Sequence, residues 1–416
     1  MDDVTRKTAA QAAPLEPPPP KANYSTLHRY YPTSGFLRRA AERRVPLFAF
    51  EYADGGAGAD TGIAHNWAAL DGVEIIPRYG VTNKLPPCDV EIFGTRYSAP
   101  IGIAPMGAPA IVWPGADLML AKAAQRARIP YTLSTAGGAT PEQIGKAAPD
   151  VFWFQLYRFG KNDHKIGYDV VRRAEAAGAR VLVMTIDVPV RTTRSRESRA
   201  GLGGEFRPDA RMIWEMVRKP RWLAGILRHG YPRFATIRAY VGENAGTNEV
   251  IRYARSEIGG AFSWDEVALY RERWKGPLVL KGIMHPADAE KAIALGVDGM
   301  IVSNHGGRQI EALPPTIDCL PAVVKAVGSR ATVLMDSGVR SGLDAVRALA
   351  LGATSTFSGK AFLWSLAALG EEGPDYLIGL LTEEVKAALG QVGAQSAAEA
   401  RLAMIRHSSA IDFVRN

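Results

Sequence analysis

Cysteine is scarce in this sequence, with only Cys88 and Cys319 among 416 residues. The two lie far apart and form no metal-type or redox-type pair, which argues against a disulfide framework and for a reducing compartment. No run approaches about 18 consecutive apolar residues, so no transmembrane helix is expected. No apolar run follows a basic segment near the first residue, and we therefore expect no signal peptide and a cytoplasmic protein.

The charge balance is basic, with 50 Lys and Arg against 42 Asp and Glu and a formal net charge of +8. Such an excess is compatible with nucleic acid, an anionic membrane or acidic substrates as partners. Neither zinc-finger spacing nor an RNA-binding aromatic motif accompanies it, so the sequence argues against nucleic acid binding. A solvated basic surface is the simplest explanation of the excess charge. We also expect no bound metal.

Eight short apolar runs follow one another along most of the chain, with Ala-rich segments of helical spacing between several of them. Strands that are buried on both faces of a sheet have such nearly continuous apolar sequences. Eight strand–helix units in series favour an α/β fold of the (β/α)8 TIM-barrel type over a doubly wound sheet. The runs occupy residues 100–106, 131–135, 151–157, 180–187, 278–283, 299–304, 332–336 and 354–359, and the helical segments include 115–128, 169–177, 287–295 and 343–351.

Two segments fall outside this pattern. Residues 1–23 are polar and rich in proline, which predicts a disordered tail before a single domain that spans residues 24–416. The stretch from about 196 to 262 is too long for a simple loop and predicts an insertion after the fourth barrel strand. Its residues 212–229 are basic and amphipathic. A lid, a subunit contact and a membrane-surface helix all remain open for it.

Polar residues recur where the apolar runs end. In a (β/α)8 barrel the carboxyl ends of the strands form the face at which ligands bind. Polar groups that are buried without partners cost free energy, so packing alone does not account for them. The residues are Ser134, Gln155, Tyr157, Thr185, Asp187, Lys281, Ser303, His305 and Asp336. Together they predict a binding or catalytic site.

The segment Ser-Asn-His-Gly-Gly-Arg-Gln at 303–309 directly follows one of these runs. His305 can act as a base near neutral pH, and Arg308 can bind a carboxylate with two hydrogen bonds. An isolated His-Gly-Gly would equally suit a turn. The whole segment, however, resembles the active-site signature of the FMN-dependent 2-hydroxy acid oxidase and dehydrogenase family, which includes glycolate oxidase, lactate oxidase and mandelate dehydrogenase. The similarity extends from about residue 36 to about residue 413.

The resemblance implies oxidation of a small L-2-hydroxy acid to the 2-oxo acid. Electrons would pass to flavin N5 of FMN and then to oxygen, a quinone or a redox protein. Met106-Gly107 is similar to the dehydrogenase members, which favours an acceptor other than oxygen. The family commonly forms homotetramers, and a peripheral location on the inner face of a membrane stays open.

The resemblance also assigns catalytic roles. His305 would remove the substrate proton, and Asp187 would hold the imidazole and stabilise its protonated form; a helix N-cap is the alternative role of Asp187, and the two roles are compatible. Tyr157 would hydrogen-bond the substrate oxygen; the alternative is a structural role as an aromatic side chain at the rim of the barrel. Arg308 and Arg194 would bind the substrate carboxylate. Arg196 could replace Arg194 in this role.

For the cofactor, the resemblance implies contacts at the ends of most strands. A cation at Lys281, beside the N1–O2 edge of the flavin, would stabilise the reduced ring. Ser337 and Lys360 depart from the family pattern, which has a second glycine and an arginine at these places. The implied FMN ligands are Ala104, Pro105, Met106, Ser134, Gln155, Thr185, Lys281, Ser303, Asp336, Gly338, Arg340, Gly359 and Lys360.

One further departure concerns the substrate. The family usually has a tyrosine near the N-terminus that helps to bind the substrate carboxylate. Alignment to Gly55 places Glu51 there, with Tyr52 adjacent, and we assign the role to Tyr52. Glu51 would repel a carboxylate unless it points elsewhere. An FMN enzyme of the same fold that oxidises an amine or an atypical substrate is therefore an alternative, and a non-enzymatic basic protein that binds membranes or nucleic acid is a remote one.

Overall fold

The computed structural model describes residues 13–18, 21, 23–81, 83–190, 192–232, 234–242 and 244–413. Most of the tail predicted at residues 1–23 therefore lies outside the described residues. Residues 13–18 contain no helix or strand, and Glu16 forms an ion pair with Lys386. The predicted disorder of the tail stays a prediction.

Eight parallel strands form a closed barrel in the order β4 to β11, and β11 pairs with β4 to complete it. Each coincides with one of the eight predicted runs, so the (β/α)8 barrel is confirmed. Among the described residues, two further pairs lie outside the barrel, the hairpin β2–β3 and the antiparallel pair β1–β12. The strands are β1 (Glu74–Ile76), β2 (Val90–Ile92), β3 (Thr95–Tyr97), β4 (Ile101–Ile103), β5 (Tyr131–Ser134), β6 (Phe152–Leu156), β7 (Val181–Thr185), β8 (Leu278–Ile283), β9 (Gly299–Val302), β10 (Thr332–Met335), β11 (Ser355–Ser358) and β12 (Met404–Arg406).

Aromatic side chains fill the end of the barrel where the strands begin. Trp153 packs against Phe93, Tyr97 and Phe357, and its indole N–H donates to the Tyr97 hydroxyl at 2.9 Å. Phe93 comes from the turn of the β2–β3 hairpin and reaches the start of β9, where a Cβ on Gly299 would lie 2.6 Å from its ring. This end is closed by packing, which leaves the opposite end for ligands.

The predicted helical segments correspond to α5, α7, α14 and α16, whereas helices α1 to α4 before the barrel were not predicted. The helix α3 matters for function because it carries Tyr52. The α-helices of the described residues are α1 (Tyr24–Tyr30), α2 (Ser34–Arg44), α3 (Leu47–Asp54), α4 (Thr61–Asp71), α5 (Ala116–Ala127), α6 (Pro141–Ala147), α7 (Lys165–Ala176), α8 (Ser195–Arg199), α9 (Ala210–Val217), α10 (Pro220–His229), α11 (Ala235–Arg238), α12 (Thr247–Glu257), α13 (Trp264–Arg273), α14 (Pro286–Ala294), α15 (Thr316–Val327), α16 (Gly342–Ala350), α17 (Lys360–Leu369) and α18 (Gly373–Val392).

The insertion between β7 and β8 consists mainly of the short helices α8 to α12. Its amphipathic segment is two helices, α9 and α10, because Pro220 starts a new helix and lacks the N–H that would continue the first one. Trp222 of α10 is buried and donates to the Val112 carbonyl at 3.1 Å, which holds the insertion against the barrel. Among the described residues, no helix has the length and apolar character needed to cross a membrane.

Candidate active site

A cavity opens at the end of the barrel where the strands finish. Its wall combines residues of α3, α4, β8, β11 and α17 with the segments that follow β4, β6, β7, β9 and β10. The predicted site residues that line it are Tyr52, Ala104, Pro105, Met106, Tyr157, Arg194, Lys281, His305, Arg308, Asp336, Gly338, Arg340, Gly359 and Lys360. Segments as far apart in sequence as Tyr52 and Lys360 thus meet at one place.

His305 and Asp187 form a hydrogen-bonded pair beside this cavity, with 2.9 Å between Nδ1 and Oδ1. Burial lowers the pKa of His305, and the cations Lys281 and Arg194 lower it further, while Asp187 acts in the opposite direction. Burial acts to raise the pKa of Asp187, but His305 and Lys281 outweigh it and hold that pKa below the ordinary value. The favoured state near neutral pH is a neutral imidazole beside a carboxylate, which is suited to accept a proton.

The loop that carries His305 has left-handed backbone, with φ of +58° at His305 and positive values at Gly306 and Gly307. Such a conformation is unfavourable for a histidine and needs support from its surroundings. The Ser303 hydroxyl accepts from the His305 amide at 3.1 Å, and the Ser337 hydroxyl accepts from the Gly306 amide at 3.0 Å. The sequence identified Ser337 only as a departure from the family pattern and did not predict its contact with this loop.

Asn66 of α4 holds the same loop from the other side. The side chains of Asn66 and Asn304 exchange two hydrogen bonds of 3.0 and 2.8 Å, and both are buried. The Asn304 side chain also accepts from the Gly307 amide at 3.2 Å. Asn66 was not predicted to belong to the site, because its role depends on a contact across 238 residues.

Lys281 is a buried cation between two carboxylates. Its Nζ donates to the Ser303 hydroxyl at 2.7 Å and lies 3.1 Å from Asp336 and 3.9 Å from Asp187. Burial acts to lower the pKa of Lys281, but Asp336 and Asp187 raise it overall. The site therefore keeps a fixed positive charge in the wall of the cavity, where a ring that becomes negative on reduction would be stabilised.

Ser134, Gln155 and Thr185 form a row of buried polar side chains at the ends of β5, β6 and β7. The Ser134 hydroxyl donates to Oε1 of Gln155 at 2.7 Å, and Nε2 of Gln155 donates to Thr185 at 2.9 Å. All three are at most 2% exposed. This row satisfies its own hydrogen bonds and leaves lone pairs of the hydroxyls for a polar ring edge.

The predicted carboxylate ligands Arg194 and Arg308 both line the cavity. Arg308 donates to the carbonyls of Tyr52 and Gly55 at 3.1 and 2.6 Å and forms an ion pair with Glu197 at 2.6 Å. Glu197 also lies 3.5 Å from Arg194 and is buried. Glu197 was not predicted, since a carboxylate in a basic segment carries no signal of its own.

Glu51 and Tyr52 occupy different environments although they are neighbours in α3. Glu51 forms an ion pair with Arg196, which also lies 3.0 Å from Asp54 and 2.7 Å from Asp60. Tyr52 lines the cavity, and its hydroxyl donates to the Gly107 carbonyl. Burial raises the pKa of Tyr52 to about 12. Glu51 is thus neutralised by Arg196, and of Arg194 and Arg196 it is Arg194 that lines the cavity.

The end of the cavity formed after β10 and β11 has the groups that a phosphate needs. Helix α17 begins at Lys360, so its first-turn amides have no partner within the helix and suit an anion. Arg340 lines this end and is held by Asp71 at 2.7 Å. Lys360 donates to the carbonyls of Asp54 and Gly55 at 2.9 and 2.7 Å, at the end of α3. Burial holds the pKa of Lys360 well below its usual value, and a nearby anion would counter this.

The family model for FMN-dependent dehydrogenases matches residues 41–407. The chain belongs to this family. This chain is 38% identical over 365 residues to an L-lactate dehydrogenase of Ectopseudomonas mendocina (strain ymp), and the match covers 87% of this chain and 95% of the relative. It is 36% identical over 363 residues to an L-lactate dehydrogenase of Caulobacter vibrioides (strain NA1000 / CB15N), covering 87% and 94%.

Solved structures agree with this assignment. This chain matches the crystal structure of the monotopic membrane protein (S)-mandelate dehydrogenase with a TM-score of 0.85 and 32% identity, and the match covers 90% of this chain and 99% of the other. It matches mandelate oxidase with (S)-4-hydroxymandelic acid with a TM-score of 0.78 and 33% identity, covering 91% and 99%.

The protein is therefore an FMN-dependent 2-hydroxy acid oxidoreductase, and FMN is its cofactor. The remote alternative of a non-enzymatic basic protein is wrong. The residues of the cavity and its surroundings fit the cofactor, because the cavity wall carries the fixed cation Lys281 and the first turn of α17. The buried row of hydroxyl and amide groups lies at the ends of β5, β6 and β7. Lys281, Ser134, Gln155 and Thr185 would hold the ring, and the segments around Gly338 and Gly359 would hold the phosphate.

Proposed function

We propose that this enzyme oxidises an L-2-hydroxy acid to the corresponding 2-oxo acid, with His305 as the base. The observation that carries the proposal is the His305–Asp187 pair beside the same cavity as Arg194 and Arg308. FMN, when bound, supplies the acceptor for the two electrons that leave the substrate α-carbon. The protein residues bind the acid, orient it and move its proton.

The two arginines bind the substrate carboxylate. Arg308 is fixed by backbone carbonyls on one side, and its guanidinium carbon lies 5.3 Å from the centre of the Tyr52 ring. Arg194 lines the same cavity. A carboxylate held between two guanidinium groups leaves its α-carbon in a fixed orientation, which is the main requirement for a reaction at that carbon.

Oxidation to the 2-oxo acid releases two electrons and two protons. One proton passes to Nε2 of His305, since Nδ1 is occupied by Asp187, and the other leaves with the two electrons. The carboxylate then stabilises the imidazolium that forms. Tyr157 lines the cavity as well, and burial raises the pKa of its hydroxyl, so it remains a hydrogen-bond donor for the substrate oxygen. The pairing of Glu51 with Arg196 removes the feature that had favoured an amine substrate.

The experiment that tests the base is anaerobic reduction of the bound flavin. The purified enzyme should be yellow and should bleach with its 2-hydroxy acid. The variant His305→Ala should keep FMN and lose about 10²–10⁴-fold in the bleaching rate. The control is His28→Ala, since His28 is an exposed histidine of α1. Unchanged bleaching in His305→Ala would show that another group is the base.

We further infer that the electron acceptor is a quinone or a redox protein rather than oxygen. The support is the Met106-Gly107 pair at the end of β4, which lines the cavity, together with relatives that are named dehydrogenases. Reduced enzyme mixed with aerated buffer should reoxidise slowly, and a soluble quinone should reoxidise it quickly. Fast consumption of oxygen with every turnover would overturn this part of the proposal.

The outer face of α9 and α10 supports peripheral contact of the enzyme with the inner face of an anionic membrane. Trp214 is 62% exposed and Leu227 is 83% exposed. Basic residues accompany them in the same two helices and in the link between them, at Arg211, Arg218, Lys219, Arg221 and Arg228. Exposed apolar residues with a basic surround suit an interface with acidic lipids. The match to a monotopic membrane protein lends further support.

Flotation with phosphatidylglycerol vesicles tests this contact. The wild type should float with the vesicles, and Trp214→Glu together with Leu227→Glu should remain in the soluble fraction. Leu402→Glu is the matched control, because Leu402 is 78% exposed but lies outside the insertion. Equal flotation of the double variant and the control would contradict the assignment of this face.

A further inference from the structure

A second and larger cavity lies between the insertion and the barrel. Its volume is about 1390 Å³, and most of its surface is apolar. We call it the apolar chamber, and the residues that give it this character include Phe48, Ile111, Leu202, Phe206, Met216 and Ile226. The methyl side chain of lactate could cover only a small part of this surface. Cavities that bind drug-sized ligands have volumes of about 300–1,000 Å³, so the chamber is large enough for a ligand much bigger than lactate.

The apolar chamber is continuous with the active-site cavity. Tyr52, Gly107, Tyr157 and Arg194 line both spaces. Among them, Arg194 and Tyr157 are the residues at which the substrate carboxylate and hydroxyl would bind under the proposed function. A 2-hydroxy acid that is held by its carboxylate at Arg194 and faces His305 with its α-carbon therefore has the chamber beside it for its side chain.

We propose that the apolar chamber binds the side chain of the substrate, and that the preferred substrates are L-2-hydroxy acids with long aliphatic side chains. This inference rests on the proposed function. Each methylene that moves from water into the chamber should raise kcat/KM about fourfold, until the chamber is filled or the chain meets its polar residues. Short acids such as L-lactate should be poor substrates.

The chamber also reaches the surface of the insertion. Ile213 and Val217 line it, yet they are 49% and 54% exposed. Both belong to α9, the helix that also exposes Trp214. An amphiphilic acid with a long chain could enter at this place, where the surface is apolar and basic. The basic surround of α9 and α10 would attract its carboxylate.

The experiment compares L-2-hydroxy acids of increasing chain length, from L-lactate to L-2-hydroxydecanoate, by anaerobic reduction of the bound flavin. In the wild type, kcat/KM should rise about fourfold per methylene over the first members of the series. If it stays flat or falls with length while short acids reduce the flavin, the inference is overturned and the proposed function stands. If no 2-hydroxy acid of any length reduces the flavin, the proposed function itself fails.

Variants that fill the chamber provide the second arm. Met216→Trp adds bulk at a half-buried wall residue, and Leu223→Trp does so at a second position in case the first variant folds poorly. Each should lower kcat/KM for L-2-hydroxydecanoate tenfold or more and leave that for L-lactate unchanged. The control is Met404→Trp, since Met404 is 73% exposed and belongs to β12, outside the insertion and the lining of the chamber. Variants that slow only reoxidation by a quinone would show that the chamber holds the acceptor, which would overturn the inference.

Discussion

The Nδ1 atom of His305 lies 2.9 Å from Oδ1 of Asp187, and this contact joins the end of β7 to the loop after β9. The contact fixes the ring orientation and leaves Nε2 for the substrate. Asp187→Asn removes the negative charge that stabilises the imidazolium and keeps the size of the side chain. We expect the rate of flavin reduction to fall about 10²–10⁴-fold while FMN stays bound.

The matched control for this prediction is Asp163→Asn, since Asp163 is exposed and its left-handed backbone also accommodates asparagine. Stopped-flow bleaching under nitrogen gives the rate, and the flavin-to-protein absorbance ratio gives the occupancy. If Asp187→Asn reduces its flavin at the wild-type rate, Asp187 does not act in proton transfer.

The pH dependence of flavin reduction follows from the burial of His305. Burial lowers the pKa of this histidine below its ordinary value of 6.5. The base has to be neutral, so the rate is at its maximum above this pKa and falls as the pH drops through it. We expect the acid limb of kcat/KM to have its midpoint below pH 6.5. In Asp187→Asn the acid limb of the remaining kcat/KM should lie at still lower pH, because the carboxylate of Asp187 acts to raise the pKa of His305. A midpoint well above 6.5 would contradict this.

Arg194 and Arg196 should differ in what they support. Arg194→Met removes a cation from the cavity wall and should raise KM for 2-hydroxy acids about 10–100-fold with little change in the melting temperature. Arg196→Met leaves Glu51, Asp54 and Asp60 without their common partner and should cost about 3 kcal/mol of unfolding free energy. Steady-state kinetics and thermal melts of both FMN-loaded variants separate the two effects. If Arg194→Met keeps the wild-type KM and Arg196→Met raises it, the carboxylate is bound by Arg196 instead.

The barrel could be predicted from the sequence because each of its strands is buried on both faces, which makes a short apolar run at every strand. The pair β1–β12 could not, since it joins Glu74 to Arg406 and its exposed residues form no apolar run. Helix α3 was missed for a different reason. It has only eight residues, and its sequence LFAFEYAD is apolar over most of its length without a polar stripe.

The same contrast applies to the site. His305, Asp187 and Lys281 stand at strand ends, so a barrel brings them together by its topology alone. Which of Glu51 and Tyr52 enters the cavity depends on the rotation of α3, which the alignment to Gly55 did not determine. Glu197 and Asn66 depend on contacts across 111 and 238 residues. The homotetramer that the family implies stays a prediction, and light scattering of the purified protein would test it.

Ser337 is a residue where backbone strain and hydrogen bonding act in opposite directions. Its φ of +77° favours glycine, yet its hydroxyl donates to Asp336 at 2.8 Å and accepts from the Gly306 amide. Replacement by glycine relieves about 1 kcal/mol of strain and removes these bonds, whereas replacement by alanine removes the bonds and keeps the strain. The two variants therefore separate stability from the position of His305.

We expect Ser337→Gly to melt at a higher temperature than Ser337→Ala, since it is relieved of the strain, and to reduce its flavin about tenfold more slowly than the wild type, because the loop of His305 loses a support and a shift of about 1 Å in a catalytic group costs up to 10²-fold. Ser337→Ala should show the same loss of rate with a lower melting temperature. Thermal melts and anaerobic stopped-flow on FMN-saturated samples measure both quantities. A wild-type rate in Ser337→Gly would mean that the other contacts of His305 and its loop hold the base, and that the serine has no part in positioning it.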